Sequence, residues 1–158
     1  MAFSPDGARL ACTAADEDRV ILAVTGEPER SWPGELEEGP VFSPDGRHLA
    51  VAVRAEGRTR IIVDGQPREP GATWRVDRLT FSPDGTRLAY LGSENEKEFL
   101  VVDGTPSEPL DGIRSRSLCF RPGGSRVYCI GYTGDLELAA DWYLLEDGRR
   151  SEAWTAIW

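Results

Sequence analysis

The 158-residue sequence is poor in the residues that most often carry chemistry, with a single histidine, His48, and three cysteines that show no C-x-x-C spacing. Histidine titrates near neutral pH, and structural zinc needs clustered cysteine and histidine ligands. An odd, widely spaced set of cysteines also gives no disulfide framework. The sequence further lacks G-x-S-x-G, Walker and H-E-x-x-H motifs. We therefore expect neither an enzyme nor a bound metal or cofactor.

Long apolar runs are equally scarce. No uninterrupted apolar run exceeds five residues, the length of the run at 20–24, whereas a membrane-spanning helix needs about 20. Met1 is followed at once by the first of the repeats described below, so a basic, apolar-cored signal peptide is missing. The chain as given is predicted to be cytoplasmic; a chain cropped from an exported precursor would instead be periplasmic.

The chain is also poor in positive charge: it has 18 Lys and Arg residues against 27 Asp and Glu residues, which gives a net charge of −9. Nucleic acids and anionic membrane surfaces reward clustered Lys and Arg, so we expect neither as a partner. The charge is uneven: residues 1–41 carry a net −6, whereas residues 42–80 carry +2. Such asymmetry would orient a charged partner, although ordinary variation among surface loops explains it equally well.

What the sequence has in abundance is a repeat. "FSPDG" stands at 3–7, 42–46 and 81–85, and an altered copy, "FRPGG", stands at 120–124, so the period is 39 residues. Proline presets the backbone of a turn, aspartate accepts hydrogen bonds from nearby backbone amides, and glycine accepts a positive φ. The motif therefore predicts one tight turn per repeat, joining two strands.

Strand patterns fill the rest of each repeat. Runs such as "RHLAVAV" and "TRIIV" follow the turn, and Asp-Gly pairs such as Asp64-Gly65 mark a further hairpin. A proline two residues later, as at Pro67, begins a weaker fourth segment typical of an edge strand. Four antiparallel strands per repeat predict an all-β fold, a single β-propeller domain over 1–158. The predicted limits of its four blades are about 1–39, 40–78, 79–117 and 118–158, and five extra residues lie around 133–141 in the fourth.

Three features that could carry chemistry have simpler explanations within the repeat. His48 occupies a position that is arginine in the other three copies, which indicates a solvated strand residue. Cys12 and Cys129 share a position that the other copies fill with valine or tyrosine, so we expect buried free thiols. The acidic clusters at 16–18 and 35–38 are interpreted as solvated loop charge rather than as a glycosidase carboxylate pair or a calcium site.

The stretch 81–90, "FSPDG" followed by Arg-Leu-Ala-Tyr, resembles the WD-repeat-like propeller units of TolB-type bacterial proteins. "VVDG" at 101–104 similarly resembles a turn variant of uncharacterised bacterial propellers. The resemblance extends over essentially the whole chain and implies the propeller scaffold. It implies no particular activity, because the shared residues are scaffold residues. TolB-type propellers also have more blades than the four counted here.

Two functions of different class follow. The first is a non-catalytic interaction module that binds a protein or peptide through its loop face; the second is an accessory or substrate-gating segment of a larger hydrolase or peptidase. For the first, aromatic and cationic side chains gather between outer and inner strands on the least acidic part of the chain, which suits an acidic or carboxylate-bearing partner. The predicted binding residues are Trp74, Arg75, Arg78, Arg114 and Arg116.

Ring closure is the remaining question. Only Met1, Ala2 and Phe3 precede the first turn, so the first blade has little with which to form an inner strand. Four blades that do not close would leave apolar faces exposed on the first and last blade. We therefore expect a homodimer that completes an eight-bladed ring, or a chain that is part of a larger propeller, rather than a self-closed monomer.

Overall fold

The computed structural model of the chain describes residues 1–68, 74–136 and 139–156. Its regular structure is antiparallel β-sheet, and within those residues there is no α-helix, only a 3₁₀ turn at Ser115–Ser117. Four sheets follow one another along the chain and do not close into a complete ring. The structure therefore confirms the all-β, four-bladed propeller, as a partial ring.

Blades 1, 2 and 3 each have four strands that lie side by side in chain order, from the inner strand to the outer strand. Blade 1 contains β1 (Ala2–Phe3), β2 (Leu10–Asp16), β3 (Arg19–Val24) and β4 (Arg30–Pro33). Blade 2 contains β5 (Glu35–Phe42), β6 (Leu49–Ala55), β7 (Arg58–Val63) and β8 (Gln66–Arg68). Blade 3 contains β9 (Arg75–Phe81), β10 (Leu88–Glu94), β11 (Lys97–Val102) and β12 (Thr105–Pro106). The outer strands are short and contain proline, as edge strands tolerate.

Blade 4 has six strands because its inner and outer rows are both interrupted. β13 (Gly112–Ile113) and β14 (Cys119–Phe120) pair with β15 (Val127–Asp135), while β17 (Arg149–Arg150) and β18 (Trp154–Ala156) pair with β16 (Ala139–Glu146). The five extra residues lie between the second and third strands, as predicted. They lengthen β15 and β16 to nine and eight residues, against seven and six in blade 3. The added length gives β18 an edge on which to pair.

The repeated motif forms the same hydrogen-bonded turn in the first three blades. In blade 2 the buried Ser43 hydroxyl donates to Asp45 Oδ1 at 2.5 Å and accepts the His48 backbone N–H at 2.9 Å. Asp45 Oδ1 also accepts the Arg47 N–H at 3.1 Å, and Gly46 takes a φ of +72°. The same bonds recur in the other two copies, at Ser4, Asp6, Ser82 and Asp84. The shared hydrogen-bond network of the turn therefore explains why the "FSPDG" residues recur.

The altered copy turns without the side-chain bonds. Arg121 and Gly123 replace serine and aspartate, and the turn keeps only backbone bonds, such as the one from Gly124 N–H to Arg121 O at 3.0 Å. The positive φ moves one residue earlier, to Gly123 at +67°. A turn with glycine at its third position takes this conformation readily.

Three apolar clusters hold neighbouring blades together. Val20 and Leu22 of blade 1 pack with Val51 of blade 2, and equivalent clusters join blades 2 and 3 and blades 3 and 4. Leu145 of blade 4 and Leu100 of blade 3, both 0% exposed, lie in the last of these clusters. Among the described residues no such cluster joins blade 4 to blade 1.

The inner strands begin earlier than the predicted blade limits. β5 starts at Glu35 and β9 at Arg75, so the limits at 39/40 and 78/79 fall inside these strands. The turn motif marks the end of an inner strand, and the polar stretch that begins β5 does not have a strand pattern in the sequence. Its backbone nevertheless pairs with β6, beginning at Glu35 opposite Arg54.

Candidate functional site

The inner strand of blade 3 carries a β-bulge in its middle. The pairing register between β9 and β10 shifts so that Arg78 and Leu79 face a single residue of β10. Arg78 has a φ of +62°, which is uncommon for a residue other than glycine. Its backbone N–H donates to Glu38 Oε2 of blade 2 at 3.4 Å. Bulges redirect side chains and are frequent beside functional sites, and the Arg78 side chain is exposed here.

Blade 4 has its 3₁₀ turn, Ser115–Ser117, in the corresponding place between β13 and β14. Arg116 lies exposed in this turn. Arg78 and Arg116 line the same cavity of about 230 Å³ between the inner strands of blades 3 and 4. The bulge and the turn therefore bring together two arginines that are 38 residues apart in the sequence.

This cavity adjoins a larger one of about 450 Å³, because Ser115 lines both. Arg75 and Asp77 of β9 line the larger cavity on one side, and Ile113 of β13 lines it on the other. We call the two cavities together the arginine groove, defined by Arg75, Arg78, Ser115 and Arg116.

Two glutamates in the larger cavity are engaged by donors of the protein itself. Glu37 Oε1 accepts the Val76 N–H at 3.1 Å, and its Oε2 accepts the Thr59 hydroxyl. Glu98 Oε2 accepts the Ile113 N–H at 2.6 Å. Each glutamate therefore attaches the inner strand of the following blade, which is a structural role.

Glu38 lies behind Arg78 and is perturbed by its surroundings. Burial, together with the neighbouring Asp77 carboxylate, raises the pKa of Glu38 above the usual carboxyl value, and the Arg78 backbone N–H partly opposes this. Protonation of Glu38 is therefore easier than that of an exposed glutamate.

The three arginines of the groove form no salt bridge among the described residues, although the Arg78 charge interacts with the nearby Glu38 carboxylate. Within the described parts of the chain, no carboxylate forms an ion pair with Arg75, Arg78 or Arg116, although all three side chains are exposed. Arg87, by contrast, pairs with two aspartates. Arg58, Arg121 and Arg149 are likewise in no ion pair among the described residues, so the groove is distinguished by having three such arginines on adjoining cavities. Guanidinium forks bind carboxylates bidentately.

The structure separates Arg114 from the groove. Its guanidinium lies 4.6 Å from the centroid of the Trp142 ring, on the side of blade 4 that faces away from blade 3. The cause is the strand register: Ile113 pairs with Gly131 and so takes the place that Val76 has in blade 3. Arg114 therefore projects to the opposite side of blade 4 from Arg116 and the groove.

Trp74 is also a packing residue rather than a groove residue. Its ring meets Phe99 edge-on with centroids 4.5 Å apart, and its Nε1 donates to Glu94 Oε2 at 3.2 Å. Its backbone oxygen lies 2.6 Å from Thr59 Oγ1 and shares the single hydroxyl proton of Thr59 with Glu37. Of the five predicted binding residues, the structure therefore brings together Arg75, Arg78 and Arg116.

A third cavity, of about 210 Å³, lies at the end of blades 2 and 3 that carries the "FSPDG" turns and was not predicted from the sequence. His48 lines it, with Nδ1 at 2.7 Å from Asp64 Oδ2 and its ring stacked on Phe81. In blade 3 the arginine at this position reaches the next blade, where Arg87 donates to Ser125 O at 2.8 Å. The shorter histidine leaves space there. The departure from arginine at position 48 is the only sequence signal for this cavity.

The expected burial of the thiols at the shared repeat position is complete for Cys129 but only partial for Cys12. Cys129 is buried, which raises the pKa of its thiol to about 12, whereas Cys12 is half-buried and Cys119 is exposed. Within residues 1–68, 74–136 and 139–156, no group of three or more metal-ligating side chains is arranged to hold an ion. A helix long and apolar enough to cross a membrane does not occur in these residues either.

Comparison with solved structures identifies the fold. TolB from Acinetobacter baumannii is 21% identical over 94% of this chain and 40% of its own, with a TM-score of 0.50. Hydrazine synthase of Kuenenia stuttgartiensis is 18% identical over 98% of this chain and 48% of its own, with a TM-score of 0.59. The dihydro-heme d1 dehydrogenase NirN, in complex with DHE, is 19% identical over 96% and 35%, with a TM-score of 0.52.

The fold is that of a TolB-like β-propeller. This confirms the resemblance carried by the "FSPDG" units at the level of the fold, since identities near 20% support no more. The chain spans less than half the length of each of these structures. No protein-family model matches the sequence, and no curated protein matches it.

Proposed function

We propose that the chain is a non-catalytic propeller module that binds an acidic segment of a protein or peptide in the arginine groove. The observation that carries the proposal is the unpaired state of Arg75, Arg78 and Arg116 among the described residues. An exposed guanidinium without a carboxylate keeps its donors available for a ligand. Clusters of arginine are a recurring means of recognising acidic motifs.

The shape of the groove supports the same partner. Two adjoining cavities, of about 230 and 450 Å³, suit successive side chains of an extended segment better than one compact ligand. The two glutamates that face the larger cavity are already bonded to backbone amides at Val76 and Ile113. They are therefore poor candidates for a general base, and a carboxylate ligand meets free donors chiefly at the arginines.

Binding of fluorescein-labelled hexaglutamate, measured by fluorescence anisotropy at low ionic strength, tests the proposal. We expect saturable binding that weakens as salt is raised, because the contacts are between charged groups. The double variant Arg78→Ala/Arg116→Ala is expected to bind at least about tenfold more weakly, which corresponds to a loss of about 1.4 kcal/mol. Hexalysine and hexaglutamine probes should not bind.

The matched control is Arg47→Ala/Arg149→Ala, which removes the same charge at two exposed positions outside the groove. Arg47 follows the "FSPDG" turn of blade 2, and Arg149 follows the Asp147-Gly148 hairpin of blade 4. It should leave hexaglutamate binding within about twofold of the unmodified chain. Equal losses in the two double variants would show that only net charge is being sensed. Absence of saturable binding by the unmodified chain would contradict the proposal directly.

A further inference from the structure

An arginine just before the second strand of a blade bridges two of the three junctions between blades. Arg9 of blade 1 donates to the Gly46 carbonyl in the turn of blade 2. Arg87 of blade 3 donates to the Ser125 carbonyl of blade 4 at 2.8 Å. The residue at this repeat position in blade 2 is His48. The junction of blades 2 and 3 therefore has a shorter side chain at the bridging position.

His48 contacts its own blade and the next one, but it leaves part of the bridging space open. Its Nδ1 lies 2.7 Å from Asp64 Oδ2, and its ring stacks on Phe81 of blade 3 with the centroids 6.2 Å apart. The cavity of about 210 Å³ lies at this place, between two blades that are both inside the chain. We call it the His48 cavity, defined by His48, Ile61, Phe81, Leu88 and Tyr90.

The inner walls of the His48 cavity are apolar. Ile61 and Val63 of blade 2 are 2% and 8% exposed, and Phe81 of blade 3 is 7% exposed. Small-molecule sites are lined mainly by side chains of this kind, with a few polar groups that fix the orientation of the ligand. An apolar cavity of about 150 Å³ is large enough to bind benzene. The His48 cavity therefore has room for one aromatic ring with a small substituent.

The Tyr90 hydroxyl is a polar group of this wall without a partner. Tyr90 is 2% exposed and lines the cavity, and within the described parts of the chain its hydroxyl forms no hydrogen bond. Burial raises the pKa of Tyr90, and neither a hydrogen bond nor a charge contributes. The other blades have Cys12, Val51 and Cys129 at this position. Because a buried tyrosine hydroxyl normally has a partner, this one can bond to a molecule in the cavity.

The charges around the cavity cancel one another. Two arginines, Arg68 and Arg87, line it together with two aspartates, Asp64 and Asp103. Arg87 Nε donates to Asp103 Oδ2 at 2.7 Å. Asp64 is bonded by Nδ1–H of His48, since a carboxylate only accepts. An ion would lose its hydration on entering without meeting a net opposite charge, so an uncharged ligand suits the cavity best.

We propose that the His48 cavity binds a small uncharged aromatic molecule with one hydroxyl group, a ligand of the phenol class. The ring contacts Ile61, Phe81 and Leu88, and the ligand hydroxyl forms a hydrogen bond with the Tyr90 hydroxyl. The volume, the apolar walls, the balanced charge and the unpartnered hydroxyl all fit this ligand. The cavity shares no lining residue with the arginine groove, so the site goes beyond the function proposed above.

Fluorine NMR with four probes on the unmodified chain tests the ligand class. We expect saturable binding of para-fluorophenol. Binding of para-fluorotoluene should be at least about fivefold weaker, because its methyl group leaves the Tyr90 hydroxyl unbonded. The ions para-fluorobenzoate and para-fluorobenzylammonium should also bind more weakly than para-fluorophenol. Tighter binding of either ion would overturn the proposal, and so would absence of saturable binding by every probe, which would show that the cavity holds only water.

Tyr90→Phe removes the hydroxyl and keeps the ring. The variant should bind para-fluorophenol about fivefold more weakly, whereas its affinity for para-fluorotoluene should stay within about twofold of that of the unmodified chain. The control is Tyr128→Phe, because the Tyr128 hydroxyl bonds to Glu146 and does not line the cavity. It should change neither affinity. An equal loss for both probes in Tyr90→Phe would contradict the hydrogen bond.

His48→Arg restores the bridging arginine of the other blades and fills the cavity. We expect para-fluorophenol binding to fall at least about tenfold while Tm stays unchanged or rises, since the new side chain can reach the turn of blade 3 as Arg9 reaches that of blade 2. Hexaglutamate binding should be unaffected. Conversely, Arg78→Ala/Arg116→Ala should leave para-fluorophenol binding within about twofold, so the two sites can fail independently. Unchanged para-fluorophenol binding in a folded His48→Arg chain would overturn the proposal.

Methyl NMR of the unmodified chain locates the ligand without any variant. The methyl signals of Ile61, Val63 and Leu88, which line the cavity, should shift during titration with para-fluorophenol and saturate with the dissociation constant found by fluorine NMR. The methyl signals of Val20 and Leu145, which lie in the clusters of the other two junctions, should stay in place. Shifts confined to methyl groups outside the cavity would overturn the proposal.

Discussion

The Ser43→Ala substitution tests how much the hydrogen bonds of one repeated turn contribute to the free energy of unfolding. The Ser43 hydroxyl is 0% exposed and makes two hydrogen bonds, a 2.5 Å donation to Asp45 and a 2.9 Å acceptance from the His48 backbone N–H. Alanine removes both bonds and leaves the His48 N–H without its side-chain acceptor. A net hydrogen bond is worth about 1 kcal/mol, so we expect a loss of about 2 kcal/mol in the free energy of unfolding.

Urea and thermal unfolding measure this loss. For a chain of this length about 2 kcal/mol corresponds to a fall of about 4–8 °C in Tm. Ser125→Ala is the matched control, because Ser125 is exposed and its hydroxyl makes no hydrogen bond within the described residues. The control should stay within about 0.5 kcal/mol of the unmodified chain. If Ser43→Ala is no more destabilising than Ser125→Ala, the turn network does not support the blade as described.

Three further outcomes follow from the same geometry. Serine hydroxyls and backbone amides lower the pKa of Asp6, Asp45 and Asp84. The stabilisation that these carboxylates give is therefore present above pH about 4 and is lost as pH falls through the lowered pKa values. In the variant with all three aspartates replaced by asparagine, the free energy of unfolding should depend less steeply on pH in this acid range. Arg121→Ser/Gly123→Asp restores the motif in blade 4 and should raise Tm by a few degrees, about 1 kcal/mol; an unchanged or lower Tm would show that this turn cannot adopt the bonded form. Arg78→Gly should relieve the positive φ of the bulge and stabilise the fold by about 1 kcal/mol while weakening hexaglutamate binding; a loss of stability would contradict the strain.

The propeller could be predicted from the sequence because its signals are local. "FSPDG" needs only its own five residues and the backbone N–H groups that follow, as at Ser43 and Asp45, so the letters report the turn directly. Asp64 and Gly65 likewise both take positive φ in their hairpin, as the Asp-Gly pair predicts. Short-range chemistry of this kind repeats wherever the residues repeat.

The groove could be predicted only in part because it depends on long-range register. Composition and position indicated a cationic region, but the pattern could not show that the bulge turns Arg78 toward Arg116. Nor could it show that Ile113 takes the place of Val76 and moves Arg114 to the other side of blade 4. These outcomes depend on strand pairing across blades, to which single residues contribute weakly.

Arginine side-chain NMR can observe directly whether Arg75, Arg78 and Arg116 bind an acidic partner. The Nε–Hε signals of Arg75, Arg78 and Arg116 are followed during titration with hexaglutamate, with Arg47 and Arg149 as exposed references. We expect the three groove signals to shift together and saturate with one dissociation constant while the reference signals stay in place. Equal small shifts at all five arginines, or none at the groove, would contradict it.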